Sequence, residues 1–531
     1  MDSKLLAFIF YFIAILVIGV YFFIRSKNQG EKEYFLGGRG MGSIVTAMSA
    51  QASDMSGWLL MGFPGSIFAF GMGKVWIGIG LAIGTALNWI FVATRLRKFS
   101  QAANDSITLP QYLTNRFASS SPVLKVICGV IFLISFTVYV ASAFNAGTAV
   151  FVDVLPWFAD HQHLAMIIFS VIILIYTFLG GYKAVCWTDF FQGLLMLIAL
   201  LAVPIVMKVV GNFDPTYFSA FKDGVADFGT NPFAASWQDV VSGLAWGLGY
   251  FGMPHILVRF MSIKKASMIK QSATVAIIWV VLTLGAAIFI AFLGRTFIFG
   301  GNALSAELLP NGRNLIFIKV VGQIFPGFIA GLMLSAIIAA SMSTADSQLL
   351  VASSSFTSDI YKPLIKKNEV TDKEMLWVGR IVVVIVSIVA FFIASSGLGN
   401  PNSWASDIMN MVENAWGLFG ASFGPVVILS LFWKRFNYKG AVAGILGGAI
   451  ADILWLLCFT GTVIEPLIVN TGVYEILPGF IIGGIVAVIT TLCTEAPSKE
   501  VTEIFDNAMK VESAQATEPF AKQTAHASSF A

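Results

Sequence analysis

The stretch AQASDMSGWLLMGFPG (50–65) places Gln51, Ser53, Asp54 and Ser56 beside Gly57, within a segment otherwise apolar enough to cross a bilayer. A carboxylate at membrane depth costs about 2.5–3.5 kcal/mol, so Asp54 reads as functional. The structural alternative is a helix cap or a stabilising pair with a neighbouring helix. A polar, glycine-bearing interruption is tolerated in hydrocarbon only where protein or a wet cavity surrounds it. A second stretch, LSAIIAASMSTADSQLLVASSSF (334–356), sets Ala340, Ser343, Thr344 and Ser347 at three- and four-residue spacing, with Asp346 alongside. Such hydroxyls either bond back to the preceding turn or make the hard-oxygen environment that suits a cation such as sodium. Carbonyls near Ala52 and Met55, freed by a break in the first stretch, would complete that shell. A third stretch, SGLAWGLGYFGMPHILVRF (242–260), carries Gly243, Gly247, Gly249, Gly252 and Pro254, a density that predicts an unwound or tightly packed segment. Trp246, Tyr250 and Pro254 lie four apart and would share one helical face. They are either ordinary helix packing or an aromatic wall beside a gap for a small, partly apolar ligand. Asp189 stands at the entrance of another apolar run, as a solvated residue or as part of an ion path.

The elements that must position these residues follow from composition. Of 531 residues, 57% are hydrophobic and 11% charged, against roughly 25% charged in soluble domains; this is a polytopic, all-α membrane protein in a lipid bilayer. The net charge of +3 gives no basis for nucleic-acid binding. Apolar runs fall at about 4–25, 42–71, 73–95, 123–154, 163–181, 186–211, 237–260, 273–299, 327–358, 376–397, 405–433, 438–460 and 474–494, about thirteen transmembrane helices. Lys and Arg concentrate after every odd-numbered span, as with Arg39, Arg97, Lys183, Lys264, Lys362 and Lys434. The positive-inside rule then places the N-terminus outside and the C-terminus in the cytoplasm. The first apolar run lacks a basic lead and a cleavage site and reads as a retained span. Residues 495–531 read as a cytoplasmic, largely disordered tail. The segment 104–117 reads as an amphipathic interfacial helix.

The interrupted spans are the second and the seventh. Five spans separate them, an odd number, so two five-helix halves would be inserted with opposite orientation, an inverted 5+5 repeat. The expected organisation is a first helix and loop at 1–40, a transporter core at 41–433, two further helices at 434–494 and the tail at 495–531. The polar residues cluster near mid-membrane, which argues against a channel lined along whole spans. A sensor would be expected to carry a soluble output domain, and none is expected from these residues. The four histidines (His161, His163, His255, His526) and four scattered cysteines show no metal or catalytic cluster, so no enzyme is expected.

AQASDMSGWLLMG (50–62), ITLPQYLTNRF (107–117), GGYKAVCWTDFFQ (180–192), AWGLGYFGMPHILVRFM (245–261), MSTADSQLLVASSSF (342–356) and FGPVVILSLFWKRFNYKGAVAG (423–444) together resemble the sodium/solute symporter family, and SDMSGW with AWGLGYFG its proline-transporting branch. The resemblance implies a bacterial leucine-transporter type of fold and sodium-coupled uptake of L-proline across the bacterial cytoplasmic membrane by alternating access. It implies a sodium site at Ala52, Met55, Ala340, Ser343 and Thr344. It assigns coupling to Asp54, with Ser56 and Gly57 shaping the break. It implies substrate recognition by Trp246, Tyr250 and Pro254, with Trp58 and Tyr139 closing the same pocket. Asp189, Asp346 and Ser347 resemble parts of a second sodium site found in sialic-acid-transporting relatives. Met253 departs from the glutamine that the resemblance leads one to expect.

Overall fold

A computed structural model of the chain describes residues 3–510 apart from 26–30, 180, 215–229, 300, 301, 304–311, 368, 401 and 402; His526 lies outside them, as does most of the tail. The described residues are almost wholly helical. Ten helices among them are long and apolar enough to cross a membrane. The principal helices are α1 (Ser3–Arg25), α2 (Ser43–Asp54), α3 (Phe63–Phe70), α4 (Val75–Leu87), α5 (Val123–Val154), α6 (Gln162–Leu179), α7 (Tyr182–Val210), α8 (Trp237–Ala245), α9 (Pro254–Ser262), α10 (Ile269–Thr296), α11 (Gly327–Ser355), α12 (Asp372–Gly397), α13 (Ile408–Phe432), α14 (Tyr438–Trp455), α15 (Ile476–Cys493) and α16 (Lys499–Lys510).

All thirteen apolar runs are helical, and the three outside the ten continuous ones have identifiable causes. The run at 42–71 is split between α2 and α3, and the run at 237–260 between α8 and α9. The run at 163–181 coincides with the shorter apolar helix α6, which ends at Leu179. Large apolar side chains such as Phe10, Ile205, Phe289 and Phe392 remain exposed on the outer helices, as a lipid-facing surface requires. α11 is the opposite case: from Leu334 to Ser355 every residue is buried, hydroxyls included, so it runs through the middle of the bundle.

Bonds between loops sort the two ends of the bundle. At one end Lys32 and Arg39 pair with Asp105, Lys183 with Glu33, Lys362 with Glu31 and Lys434 with Asp506. Arg97 Nε donates to the Ile263 carbonyl at 2.7 Å. The basic loops after the odd spans therefore meet on one face. The opposite face holds Lys4–Asp153, Lys74–Asp239 and Arg313–Asp407.

Two expectations change. Within 495–531, residues 499–510 form the helix α16, with Val501 and Ala508 buried and the Phe505 ring 5.1 Å from that of Phe99. Apolar residues three and four apart give that short segment a face to bury. The segment 104–117 packs into the bundle, with little of its helix left exposed. Its helix Leu109–Arg116 buries Leu109, Tyr112, Leu113 and Arg116, capped by Thr108 Oγ1, which accepts from the Gln111 N–H at 3.1 Å and donates to Asp359 Oδ2 at 2.8 Å.

Candidate functional site

α2 ends at Asp54. Met55 leaves helical geometry with φ −84° and ψ 77°, and the chain resumes as a wide turn at Trp58–Gly62 before α3. Gly57 is required by close approach: a Cβ there would lie 2.5 Å from the Ala146 Cβ on α5. The break is thus held between α5 and α11.

One side of the break faces α11. Ser343 Oγ donates to the Ala52 carbonyl at 2.8 Å and lies 3.2 Å from the Ala340 carbonyl. The back-bonding reading of the hydroxyl stripe is realised in this residue, which also reaches across to α2. Thr344 Oγ1 is buried without a hydrogen-bond partner. Ala52, Met55 and Ala340 are fully buried. Neutral oxygens gathered around a terminated helix are the donor type that a hard monovalent cation takes.

The other side faces the second interrupted span. Tyr250 Oη donates to Asp54 Oδ2 at 2.6 Å, Trp58 Nε1 to the Asp54 carbonyl at 3.1 Å and Tyr139 Oη to the same carbonyl at 3.3 Å. Asp54 Oδ1 keeps no partner. Three aromatic side chains expected in one pocket therefore converge on one residue. Ser56 Oγ lies 3.4 Å from the Trp58 N–H, inside the break.

Between α8 and α9, residues Trp246–Phe251 wind as a tight 3₁₀ segment, and Met253 is extended at φ −74°, ψ 109°. Unwinding frees carbonyls that must find donors. Asn88 Nδ2 donates to the Tyr250 carbonyl at 2.9 Å and Trp416 Nε1 to the Trp246 carbonyl at 2.8 Å. A Cβ at Gly249 would lie 1.9 Å from Trp416 Nε1, so glycine admits that indole. The Trp246 ring lies 6.4 Å from Trp58, 6.4 Å from Trp416 and 5.2 Å from Tyr474. Tyr250 meets Trp416 edge-on at 5.1 Å.

Trp246, Tyr250 and Pro254 do not lie on one continuous α-helix. The expectation assumed a continuous α-helix, whereas the 3₁₀ winding and the break at Gly252–Met253 reset the phase. Pro254 is the first residue of α9, where its missing N–H costs nothing. Fully buried Met253 supplies the carbonyl that accepts from the Leu257 N–H at 3.0 Å.

Asp189 is fully buried, which removes the solvated reading. Its Oδ2 accepts from Ser49 Oγ at 2.6 Å and from Arg259 Nη2 at 3.2 Å. The same Nη2 donates to Ser347 Oγ at 2.5 Å, and Arg259 Nε lies 3.2 Å from Ser49 Oγ. Asp189 and Ser347 are thus brought together around a guanidinium. Asp346 is buried nearby, both carboxyl oxygens without a hydrogen-bond partner.

Arg259, Trp416, Asn88 and Tyr474 were missed by sequence reasoning. Arg259 had a signal: an arginine inside an apolar run asks for a partner as Asp54 does. Trp416 and Tyr474 had none, being aromatic residues among many.

A cavity of about 560 Å³ opens on the face opposite the basic loops and is bordered by Asn145, Thr148, Asp153, Lys319 and Gly397. Asn145 adjoins Ala146, which packs on Gly57. Trp58, Trp246 and Tyr250 are not part of it and are almost fully buried, so the aromatic cluster is closed to this cavity.

Two broken helices packed against an all-buried helix define a transporter of the leucine-transporter fold. A Na⁺-coupled sialic acid symporter in a substrate-bound outward-open state superimposes with a TM-score of 0.73 at 21% identity, over 94% of this chain and 99% of that one. MhsT in complex with L-phenylalanine superimposes with a TM-score of 0.52 at 14% identity, over 85% and 98%. Residues 34–448 match the model of the sodium:solute symporter family, and the chain belongs to that family. A sodium/proline symporter of Haemophilus influenzae is 39% identical over 96% of this chain and 98% of its own length. The osmoregulated proline transporter of Bacillus subtilis is 39% identical over 93% and 96%. A sodium/proline symporter of Staphylococcus aureus is 41% identical over 92% of each chain.

Proposed function

We propose that the chain carries L-proline together with sodium into the cell by alternating access, with no chemical change to either. Relatives near 40% identity over almost the whole length, named for proline transport, support the substrate. One observation carries the mechanism: the last turn of α2 is bonded to α11 through Ala52 and to the aromatic cluster through Asp54.

Sodium would take the carbonyls of Ala52, Met55 and Ala340 and the hydroxyls of Ser343 and Thr344. Ser343 Oγ would turn its proton away and offer a lone pair. Sodium then replaces one Ser343 bond with several oxygen bonds and holds the end of α2 against α11. Asp54, two residues on, is fixed with it, and so are the donors Tyr250, Trp58 and Tyr139. The apolar, rigid proline ring suits Trp246, Trp58 and Tyr250, since stacking costs little ordering. Pro254 acts from behind, by starting α9 where Tyr250 must be held. Ser56 and Gly57 shape the break and do not bind directly. Coupling is reciprocal: each ligand tightens the other.

The concentration of Lys and Arg on one face supports a cytoplasmic assignment for that face in the bacterial cytoplasmic membrane, with the N-terminus outside and the C-terminus inside. The repeat would occupy 41–433, with 1–40 before it and 434–494 behind.

Uptake of labelled proline into proteoliposomes tests the reading. Accumulation under an inward sodium gradient that collapses without the gradient is the expected result. Sodium-driven uptake of another solute but not of proline would move the substrate assignment, with Met253 the first residue to revert.

A further inference from the structure

A group of acidic side chains apart from the sodium and substrate positions lies where α13, α14 and α15 meet. Asp452 on α14 and Glu475 at the start of α15 are each 1% exposed. Asn414 Nδ2 donates to Glu475 Oε1 at 2.9 Å, and Trp404 Nε1 fixes that amide by donating to Asn414 Oδ1 at 2.6 Å. Glu475 Oε2 and Asp452 Oδ1 are then left buried with no hydrogen-bond partner. Both residues flank the space above Gly417: a Cβ there would lie 3.1 Å from Asp452 Oδ1 and 3.3 Å from Glu475 Cγ.

The surrounding charges do not neutralise the pair. On α13, half-buried Glu413 adds a third carboxyl, and its backbone carbonyl accepts from Tyr474 Oη at 2.6 Å. Asp239 on α8 is bound to Lys74 before α4 at 2.8 Å, and Asp407 before α13 to Arg313. Among the described residues, none of the ion pairs includes Asp452, Glu475 or Glu413. Two adjacent buried carboxyls without a counter-cation cannot both stay ionised. A metal ion would want a fuller oxygen shell of about six, and no group of three or more His, Cys, Asp or Glu suited to a metal occurs among the described residues. A proton needs only the two orphaned oxygens.

We propose that Asp452 and Glu475 form a proton-binding site at the face opposite the basic loops, the pair holding one proton on one of its two unpartnered oxygens. Its occupancy is read at the aromatic cluster through the next residue. The Tyr474 ring lies 5.2 Å from Trp246, and the Tyr474 N–H donates to Ser242 Oγ of α8 at 3.0 Å. Loss of the proton leaves two like charges where α13, α14 and α15 pack, and their repulsion loosens the Tyr474 contact on Trp246. Substrate affinity then falls as the outer pH rises.

The link to affinity rests on the proposed transport function; the proton site does not. Infrared difference spectra of the full-length protein in lipid nanodiscs, between about pH 6 and about pH 9, test the site alone. A protonated-carboxyl C=O band that Asp452→Asn and Glu475→Gln each abolish or shift is the expected result. A band unchanged in both variants, or no band together with a carboxylate signal that follows sodium concentration, would overturn it. Gly417→Ala, which leaves both carboxyls in place but presses on Asp452 Oδ1, should shift the same band, so the test survives a variant that fails to fold. In proteoliposomes at fixed sodium gradient, the KM for proline should rise about fivefold over that range. The double variant Asp452→Asn/Glu475→Gln should be flat. An unchanged profile in a double variant that has lost the band would overturn the link to Trp246. Absence of proline uptake by the wild type would count against the transport reading and leave the infrared result to decide the proton site.

Discussion

Tyr250 Oη donates a 2.6 Å hydrogen bond to Asp54 Oδ2, and this bond joins the two interrupted spans. It relates an intramembrane carboxylate directly to a residue of the aromatic cluster, where the sequence suggested only that both stood in broken helices. In the proposed mechanism Asp54 carries coupling without being placed among the sodium ligands.

Tyr250→Phe keeps the ring against Trp416 and removes that bond. Hydrogen bonds to charged groups contribute about 1.5–3 kcal/mol. Proline affinity should fall about tenfold or more, and sodium activation should weaken with it. Uptake kinetics against each ligand in turn check this. A loss confined to proline would mean that the bond carries no coupling.

Ser343→Ala removes the hydroxyl that reaches Ala52. The sodium concentration for half-maximal uptake should rise about tenfold, the equivalent of roughly 1.4 kcal/mol. Proline affinity at saturating sodium should stay near that of the wild type. Thr344→Ala should act in the same direction. Asp54→Ala should impair sodium dependence severely, and unchanged uptake at low sodium would remove Asp54 from the mechanism.

Arg259 already supplies a positive charge between Asp189 and Ser347. If the guanidinium stands in for a second ion, sodium activation of uptake should follow a Hill coefficient of about one. Charge and solute fluxes measured together should give one sodium per proline. Two sodium ions per proline would contradict the role given to Arg259.

Gly249→Ala tests the packing behind the cage. Its Cβ would fall 1.9 Å from Trp416 Nε1. Overpacking costs about 1–3 kcal/mol, so the melting temperature in detergent should drop and proline affinity with it. Trp416→Phe should restore part of the stability in the Gly249→Ala background, since it removes the clashing nitrogen and its five-membered ring.

Much of the site was legible because the membrane makes rule-breaking expensive. Asp54, the glycines around Trp246 and the hydroxyls of α11 stand out against apolar surroundings, and their spacing gave the inverted repeat before any coordinates. The Ser343–Ala52 bond follows from that expectation. The shared face expected for Trp246, Tyr250 and Pro254 rested on four-residue spacing, which is a statement about an α-helix, and Trp246–Phe251 winds as 3₁₀. Trp416 and Tyr474 were invisible, since they are contributed by segments remote in sequence. The helix α16 was obscured by a polar composition that resembles disorder over the longer tail.

The most direct test of the account is equilibrium binding to the purified protein, with proline titrated at zero and at saturating sodium, and sodium titrated with and without proline. The account predicts that each ligand tightens the other by the same factor, and that Tyr250→Phe brings this factor close to one while both ligands still bind. Full coupling retained in Tyr250→Phe would contradict the claim that the break in α2 passes sodium binding to the substrate through Asp54.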